Sequence, residues 1–294
     1  MSKKTDILIP MQKTWNRIDK NDFPPLLREI PDPPPLLYIE GTFPDPFVYT
    51  FLAVVGSRKY TPYGKQACEK ILGGLHGYPI AIVSGLALGM DAIAHSAALE
   101  ARLPTIAVPG SGLDRRVLYP AANRTLAETI LTAGGALISP FEPMFRATPF
   151  SFPERNRIMA GLSRAVLVVE AEERSGTLIT SRLATEYNRD VFTIPGPIFS
   201  STSRGPHMLL RLGATPITSS EELLDALGFT AKTPQKDVLH STEEQLLLDI
   251  LTRPKTRDEV VEELSLPPQH VNATLTLLEM KGYIVEQGGT LRRT

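Results

Sequence analysis

Cysteine is almost missing from this chain of 294 residues, Cys68 being the only one. No internal disulfide can form, and a structural zinc site would lack thiolates. A reducing compartment fits, so a cytoplasmic location is expected, with no metal and no cofactor. Long hydrophobic runs are missing too. The apolar patch before Gln12 and Lys13 is too short for a signal-peptide core or a membrane span, so no membrane association is expected. Neither sign of charge dominates: 31 Lys and Arg against 32 Asp and Glu give a net charge of -1. That balance excludes a uniformly basic coat for polyanions, and any nucleic-acid site must therefore be local. The chain also lacks internal repeats and low-complexity tracts.

What remains is ordinary for a globular protein, with 42% hydrophobic and 21% charged residues. The length suits one large domain and a small one. The charges divide unevenly. Residues 51–228 carry 17 Lys and Arg against 15 Asp and Glu, whereas residues 241–294 carry 6 against 9. The larger part is the better place for phosphate binding.

Residues 1–50 are rich in proline (Pro24, Pro25, Pro31, Pro33, Pro34, Pro35, Pro44, Pro46) and read as an arm without long helices. Phe23, Leu26, Leu27, Leu36, Leu37 and Tyr38 are expected to pack it on the main domain. Short apolar runs then alternate with helical stretches: Phe51–Val55, Ile80–Val83, Thr105–Val108, Ala136–Ile138, Ala165–Val169, Val191–Ile194 and Thr215–Ile217. Such runs predict a Rossmann-like parallel sheet buried on both faces over residues 51–228. Right-handed crossovers bring the strand-to-helix loops to one edge, where α/β sheets bind ligands. Residues 229–240 read as a linker. In residues 241–294, helices over Thr242–Leu251, Thr256–Leu264 and Pro267–Lys281 are followed by a strand pair around Gly288-Gly289, which predicts a winged helix.

Four strand ends carry small, glycine-rich loops: Gly56-Ser57-Arg58, Ser84 and Gly85 through Asp91, Gly110 through Arg115 including Gly112, and Ser175-Gly176-Thr177. Glycine lets backbone N–H groups approach an anion, and a following helix N-terminus adds about half a positive charge. Any one loop could serve only as a tight turn; four on one edge point to phosphate. Arg58 follows the first strand directly, and its planar fork suits a phosphodiester, against the alternative of a structural ion pair. Phe141, Phe145, Arg146, Phe150, Phe152, Arg155 and Arg157 interleave rings with cations, as a single-strand site requires. A proline-containing loop pinned by its phenylalanines is the competing reading. Asp91 and His95 lie four apart on one helix, but an acid near a helix start is better explained by the dipole than by catalysis. Ser84, Ser111 and Ser175 have no identifiable histidine partner, so no catalytic residue is assigned.

These residues resemble the DNA-processing A (DprA/Smf) family. The likeness is carried by Val54-Val55-Gly56-Ser57-Arg58, Val83-Ser84-Gly85-Leu86-Ala87 with Gly89 and Asp91, Gly112-Leu113-Asp114, Tyr119-Pro120, Asn123 and Phe152-Pro153 with Arg155-Asn156-Arg157. Ala160-Gly161-Leu162-Ser163 and Arg174-Ser175-Gly176-Thr177-Leu178-Ile179-Thr180 extend it. It runs from about Phe23 to Leu227 and more weakly into the winged helix. The resemblance implies a homodimer that binds single-stranded DNA without strong sequence preference. It also implies loading of RecA recombinase in natural transformation, without catalytic turnover. Carried over by position, Arg58, Phe152, Arg155, Asn156, Arg157 and the Ser175-Gly176-Thr177 loop would form the DNA groove.

Leu88 stands where the family usually has a cation, and Glu154 where a basic or neutral residue is common, so weaker DNA binding is expected. The family's frequent extra N-terminal helical domain is not expected. A rival is a nucleoside-monophosphate phosphoribohydrolase of the lysine decarboxylase-like type. It needs an acid three residues after the loop threonine, where this chain has Thr180. A third reading is a winged-helix regulator. Its recognition helix would offer Gln269, His270, Asn272, Thr274 and Thr276, with no Lys or Arg before Lys281. Phosphate contacts normally dock such a helix, so residues 241–294 are expected to serve protein contacts or regulation.

Overall fold

The computed structural model describes residues 15–230, 242–251, 253–264, 266–280, 283–287 and 289–293, and the chain divides into two compact units, 1–231 and 232–294. In the first unit, strands β1 (Asn16–Asp19), β2 (Leu36–Gly41), β3 (Thr50–Val55), β4 (Ile80–Ser84), β5 (Thr105–Ala107), β6 (Ala136–Ser139), β7 (Ala165–Val168), β8 (Asp190–Thr193) and β9 (Thr215–Pro216) form one sheet. Their order is β1-β2-β6-β5-β4-β3-β7-β8-β9. From β6 to β9 all pairings are parallel, while β1 and β2 run antiparallel at the edge.

The helices are α1 (Pro25–Arg28), α2 (Pro62–Gly73), α3 (Met90–Glu100), α4 (Arg124–Thr132), α5 (Ser151–Leu162), α6 (Thr177–Glu186), α7 (Arg204–Arg211) and α8 (Ser220–Ala226). They cover both faces because β3 is apolar on both. Phe51, Ala53 and Val55 join a core with α1, α5, α6 and Leu209 of α7, whereas Leu52 and Val54 face one built with α2, α3 and α8. A one-residue slip of β3 would exchange these faces. Each fully buried large apolar side chain contributes roughly 1.5–3 kcal/mol, so register is strongly held.

The proline-rich arm contributes more than composition indicated. Phe23, Leu27, Leu37 and Tyr38 are buried, Leu26 and Leu36 half-buried, and β2 pairs with β6 in the register Tyr38 to Ser139. Pro33, Pro34 and Pro35 all precede β2, so no ladder donor is lost.

The order of strands reverses at β3, from which the chain goes out to β4, β5 and β6 and returns to β7. That switch opens a crevice beyond the carboxyl ends of β3 and β7.

In the second unit, α9 (Thr242–Ile250), α10 (Arg257–Leu264) and α11 (Pro268–Met280) precede a hairpin of β10 (Ile284–Gln287) and β11 (Thr290–Arg293), a winged-helix arrangement. Its core gathers Leu247, Val260, Leu275, Ile284 and Leu291. The start of α10 is reciprocally capped: Glu259 N–H donates to Thr256 Oγ1 at 3.3 Å and Thr256 N–H to Glu259 Oε2 at 2.7 Å. Most of the expected linker, residues 231–240, and Lys281, Gly282 and Gly288 lie outside the described residues. Phe229 packs its ring against Tyr78, with centroids 6.0 Å apart.

Candidate nucleic-acid interface

The crevice at the switch point encloses about 340 Å³ and is lined by Gly56, Ser57, Arg58, Lys59, Asp91, Phe152, Arg155, Asn156, Glu172, Arg174, Ser175, Gly176 and Thr177, among others. Four of its lining residues are basic and two acidic. The first strand-end loop is shaped by Ser57, whose Oγ donates to Lys59 O at 2.9 Å and accepts from Lys59 N–H at 3.0 Å. That turn leaves the Arg58 and Lys59 side chains exposed. Helix α2 then starts with Thr61 as N-cap, accepting from Gly64 N–H at 3.1 Å, and Pro62 in its first turn.

Sequence reasoning overlooked the residue that fastens this loop. Glu170 follows the end of β7 by two residues and is buried; its carboxylate accepts from Thr61 N–H at 2.9 Å, Thr61 hydroxyl at 2.6 Å and Thr202 hydroxyl at 2.9 Å. It sits in the acidic run Glu170, Glu172, Glu173, which resembles a solvated surface. Its available signal was an acid directly after five apolar residues of a buried strand.

The second loop is held by close approach. Gly89 has φ +83°, and a side chain there would lie within 2.6 Å of the Ser57 and Arg58 carbonyl oxygens, while Met90 N–H donates to Ser57 O at 3.1 Å. Leu86 adopts φ 57°, a conformation unfavourable for a branched residue. Asn123 secures it, donating to Leu86 O at 2.8 Å and Ala87 O at 3.1 Å. Ser84 is wholly buried and donates to Val54 O at 2.7 Å, joining β4 to β3. Its role is therefore internal. Gly85 borders the second hollow, and any side chain on it would overlap the Arg155 guanidinium.

Arg155 does not present its charge as an open phosphate contact. The residue is 5% exposed; Nη1 donates to Gly85 O and to Val108 O at 2.9 Å, and lies 3.9 Å from Asp91 Oδ2. Burial lowers its basicity and raises the pKa of Asp91. The pair ties β4, β5 and α3 together behind the crevice. Its position in the Phe-Pro segment resembled a surface cation because helix α5 turns that one arginine inward.

Two further residues depart from expectation. Gly112 does not line the crevice: its N–H donates to Phe145 O at 2.9 Å, and a Cβ would meet the carbonyls of Glu142 and Pro143. Arg157 is also absent from the lining, its guanidinium engaged by Asp32 at 3.0 Å and by Glu154 at 3.0 Å. Glu154 is thereby paired and outside the crevice as well.

The other expected residues come together. Thr177 Oγ1 donates to Gly56 O at 3.1 Å, its N–H donates to Ser175 Oγ at 3.1 Å, and Asn156 Nδ2 reaches Gly176 O at 3.5 Å. The N-terminus of α6 thus opens beside the first loop. The Phe152 ring stands between the crevice and a smaller hollow, with the Arg58 guanidinium 5.5 Å from its centroid and the Tyr119 ring 5.7 Å away. Leu88, 48% exposed, lines that hollow, and a cis peptide joins Tyr119 to Pro120 there. Phe141 and Phe145 instead stack on each other at 4.5 Å. Arg58, Lys59 and Arg174 are exposed and have no salt-bridge partner among the described residues.

His95 is buried with Nδ1 2.8 Å from Thr105 Oγ1, and burial pushes its pKa down to about 3, so with Asp91 salt-bridged to Arg155 the two form no acid–base pair. Among the described residues there is no cluster of His, Cys, Asp and Glu suited to a metal and no helix long and apolar enough to cross a membrane. In the second unit two cations are engaged, Lys255 with Glu263, and Arg257 with Glu279 at 3.2 Å and Glu286 at 2.9 Å.

Residues 15–228 match the family model described as DNA recombination-mediator protein A, and residues 230–290 that of the DprA winged helix domain. The chain is 37% identical over 287 residues to Protein Smf of Escherichia coli strain K12, covering 93% of this chain and 76% of that protein. It is 45% identical over 203 residues to DNA processing protein DprA of Streptococcus pneumoniae strain R6, covering 69% and 70%. The X-ray structure of DprA from Streptococcus pneumoniae superposes with a TM-score of 0.66 at 41% identity, over 72% of this chain and 74% of that one. DNA processing protein A from Helicobacter pylori, described for its single-stranded DNA binding mode, gives a TM-score of 0.63 at 30% identity, over 72% and 95%. With both of its parts matched and three of the four strand-end loops bordering one crevice, the chain belongs to the DNA recombination-mediator protein A (DprA/Smf) family.

Proposed function

We propose that this protein binds single-stranded DNA in the crevice between β3 and β7. Arg58, Lys59 and Arg174 would hold phosphates together with the α6 N-terminus, and Phe152 and Tyr119 would offer rings to bases. The observation that carries the reading is the joining of three unpaired cations to an accessible aromatic ring at one strand-end edge. Residues 51–228 carry the DNA site, and residues 241–294 serve protein contacts, since α11 has no Lys or Arg from Pro268 to Met280. Action as a homodimer that hands the strand to RecA in transformation completes the proposal; the relatives' names support DNA processing.

The protein acts by binding and not by turnover. Thr180, buried at the crevice wall, stands where the rival phosphoribohydrolase reading needs a carboxylate. Equilibrium binding of an oligothymidylate and of a random duplex at two salt concentrations tests the reading. Single strand should be preferred, with a log–log salt slope of roughly 0.7 per phosphate contact. Duplex preference, salt-independent affinity or release of free base from nucleoside monophosphates would overturn it.

A further inference from the structure

We infer that Glu170 is a positioning residue for single-strand binding: its buried carboxylate sets the first strand-end loop so that Arg58 and Lys59 meet the strand, although its own charge opposes the phosphates. This inference rests on the single-strand reading of the crevice and adds to it a residue outside the lining.

Residues 56–61 join β3 to α2 and carry two of the exposed cations. The start of this segment is gripped from neighbouring elements, Gly56 O accepting from the Thr177 hydroxyl at 3.1 Å and Ser57 O from Met90 N–H at 3.1 Å. Its end rests on Glu170. Both donors of Thr61, the N-cap of α2, go to that carboxylate. Thr202 supplies a third donor, and Ala171 N–H donates to Thr202 O at 2.8 Å, so the segment before α7 is tied to the same point. The fit is close: a side chain at Gly64, in the first turn of α2, would overlap the Glu170 carboxyl. Three donors converging on one side chain suit the two oxygens of a carboxylate, and a hydroxyl could not accept them all.

A structural ion pair does not account for this acid. Glu170 is 3% exposed, and among the described residues no cation forms a salt bridge with it. The cost of burying its charge is therefore offset by hydrogen bonds. Electrostatics does not favour it here either, because a negative charge beside an anion-binding edge weakens the local field for phosphates. What Glu170 supplies is geometry. Long cationic side chains lose freedom when they grip a phosphate, and a loop backbone already in place lowers the ordering cost of each contact. Geometry and charge thus act on DNA affinity with opposite signs.

Two substitutions in the full-length protein separate them. Glu170→Gln keeps the reach of the side chain and removes the charge; Glu170→Asp keeps the charge and withdraws it by one methylene. With a labelled oligothymidylate at low salt, Glu170→Gln should bind as tightly as the parent or slightly tighter. Glu170→Asp should bind about fivefold more weakly or worse, up to the loss caused by removing Arg58 and Lys59 themselves. The loss should also depend on those cations: in a background carrying Arg58→Ala and Lys59→Ala the two Glu170 variants should bind alike. Should Glu170→Asp fail to fold, Thr61→Val takes its place in the same cycle, since it removes a hydroxyl donor to the carboxylate and leaves Glu170 unaltered. Unchanged affinity in Glu170→Asp, equal losses in Glu170→Asp and Glu170→Gln, or a loss of the same size in the background without Arg58 and Lys59 would overturn the inference. Failure of the unaltered protein to bind the oligomer would instead sink the crevice reading itself.

Discussion

Replacing Arg58 and Arg155 separately by alanine should have opposite consequences, because one faces solvent and the other is enclosed. Arg58 is exposed, unpaired, and borders both the crevice and the hollow behind Phe152. A charge-assisted contact to phosphate is worth about 1.5–3 kcal/mol, which is roughly 10- to 150-fold in affinity. Its contact over the Phe152 ring contributes about 0.5–1 kcal/mol at an exposed site. For a domain of this size that corresponds to a fall in Tm of no more than about 4 °C. Arg155→Ala leaves Asp91 buried without its cation and orphans the Gly85 and Val108 carbonyls. Breaking such a pair costs about 3–5 kcal/mol. Fluorescence anisotropy with a labelled oligothymidylate and thermal unfolding should therefore show Arg58→Ala losing binding but little stability. Arg155→Ala should lose stability first. Equal damage to stability by the two variants, or full DNA affinity in Arg58→Ala, would refute the division between contact and scaffold.

Leu88→Lys should tighten single-strand binding at low salt, since Leu88 lines the hollow beside Arg58 and Phe152, and the gain should shrink as salt screens it; no gain in a low-salt titration counts against the placement. A chain ending at Gly228 should keep single-strand affinity within about tenfold of the whole protein, as read by anisotropy at matched salt. His95 titrates at about 3 in the fold against roughly 6.5 when unfolded. The unfolded chain therefore binds the extra proton first, and stability falls as pH drops from about 6.5 towards 3. Thermal unfolding of His95→Gln should decline less steeply across that window than the parent; parallel curves would contradict it. Asp91, raised by burial, acts in the opposite direction above its ordinary range, so the comparison isolates the histidine.

Much of the large domain could be read from its residues. The seven apolar runs from Phe51 to Ile217 coincide with β3 to β9 within one or two residues, because strands buried on both faces are written as unbroken apolar runs. β2 was harder to see, since Pro33 to Pro35 mask a strand that begins directly after them. At the site, Gly56, Ser57, Arg58, Phe152, Asn156 and the Ser175-Gly176-Thr177 loop meet as their motifs implied. Arg155 and Arg157 could not be sorted from sequence. The helical phase of α5 turns one arginine toward the Gly85 and Val108 carbonyls and the other toward Asp32, and only the position of α5 against its neighbours decides which. Glu170 illustrates the same limit, being an acid defined by a long-range contact to Thr61, 109 residues away.

Hydrogen exchange of the full-length protein with and without saturating oligothymidylate tests the crevice as the DNA site most directly. Single-strand binding between β3 and β7 predicts slowed exchange in residues 56–61 and 172–179, with residues 242–293 unchanged. Protection confined to residues 242–293, with the strand-end loops exchanging as in the free protein, would contradict it.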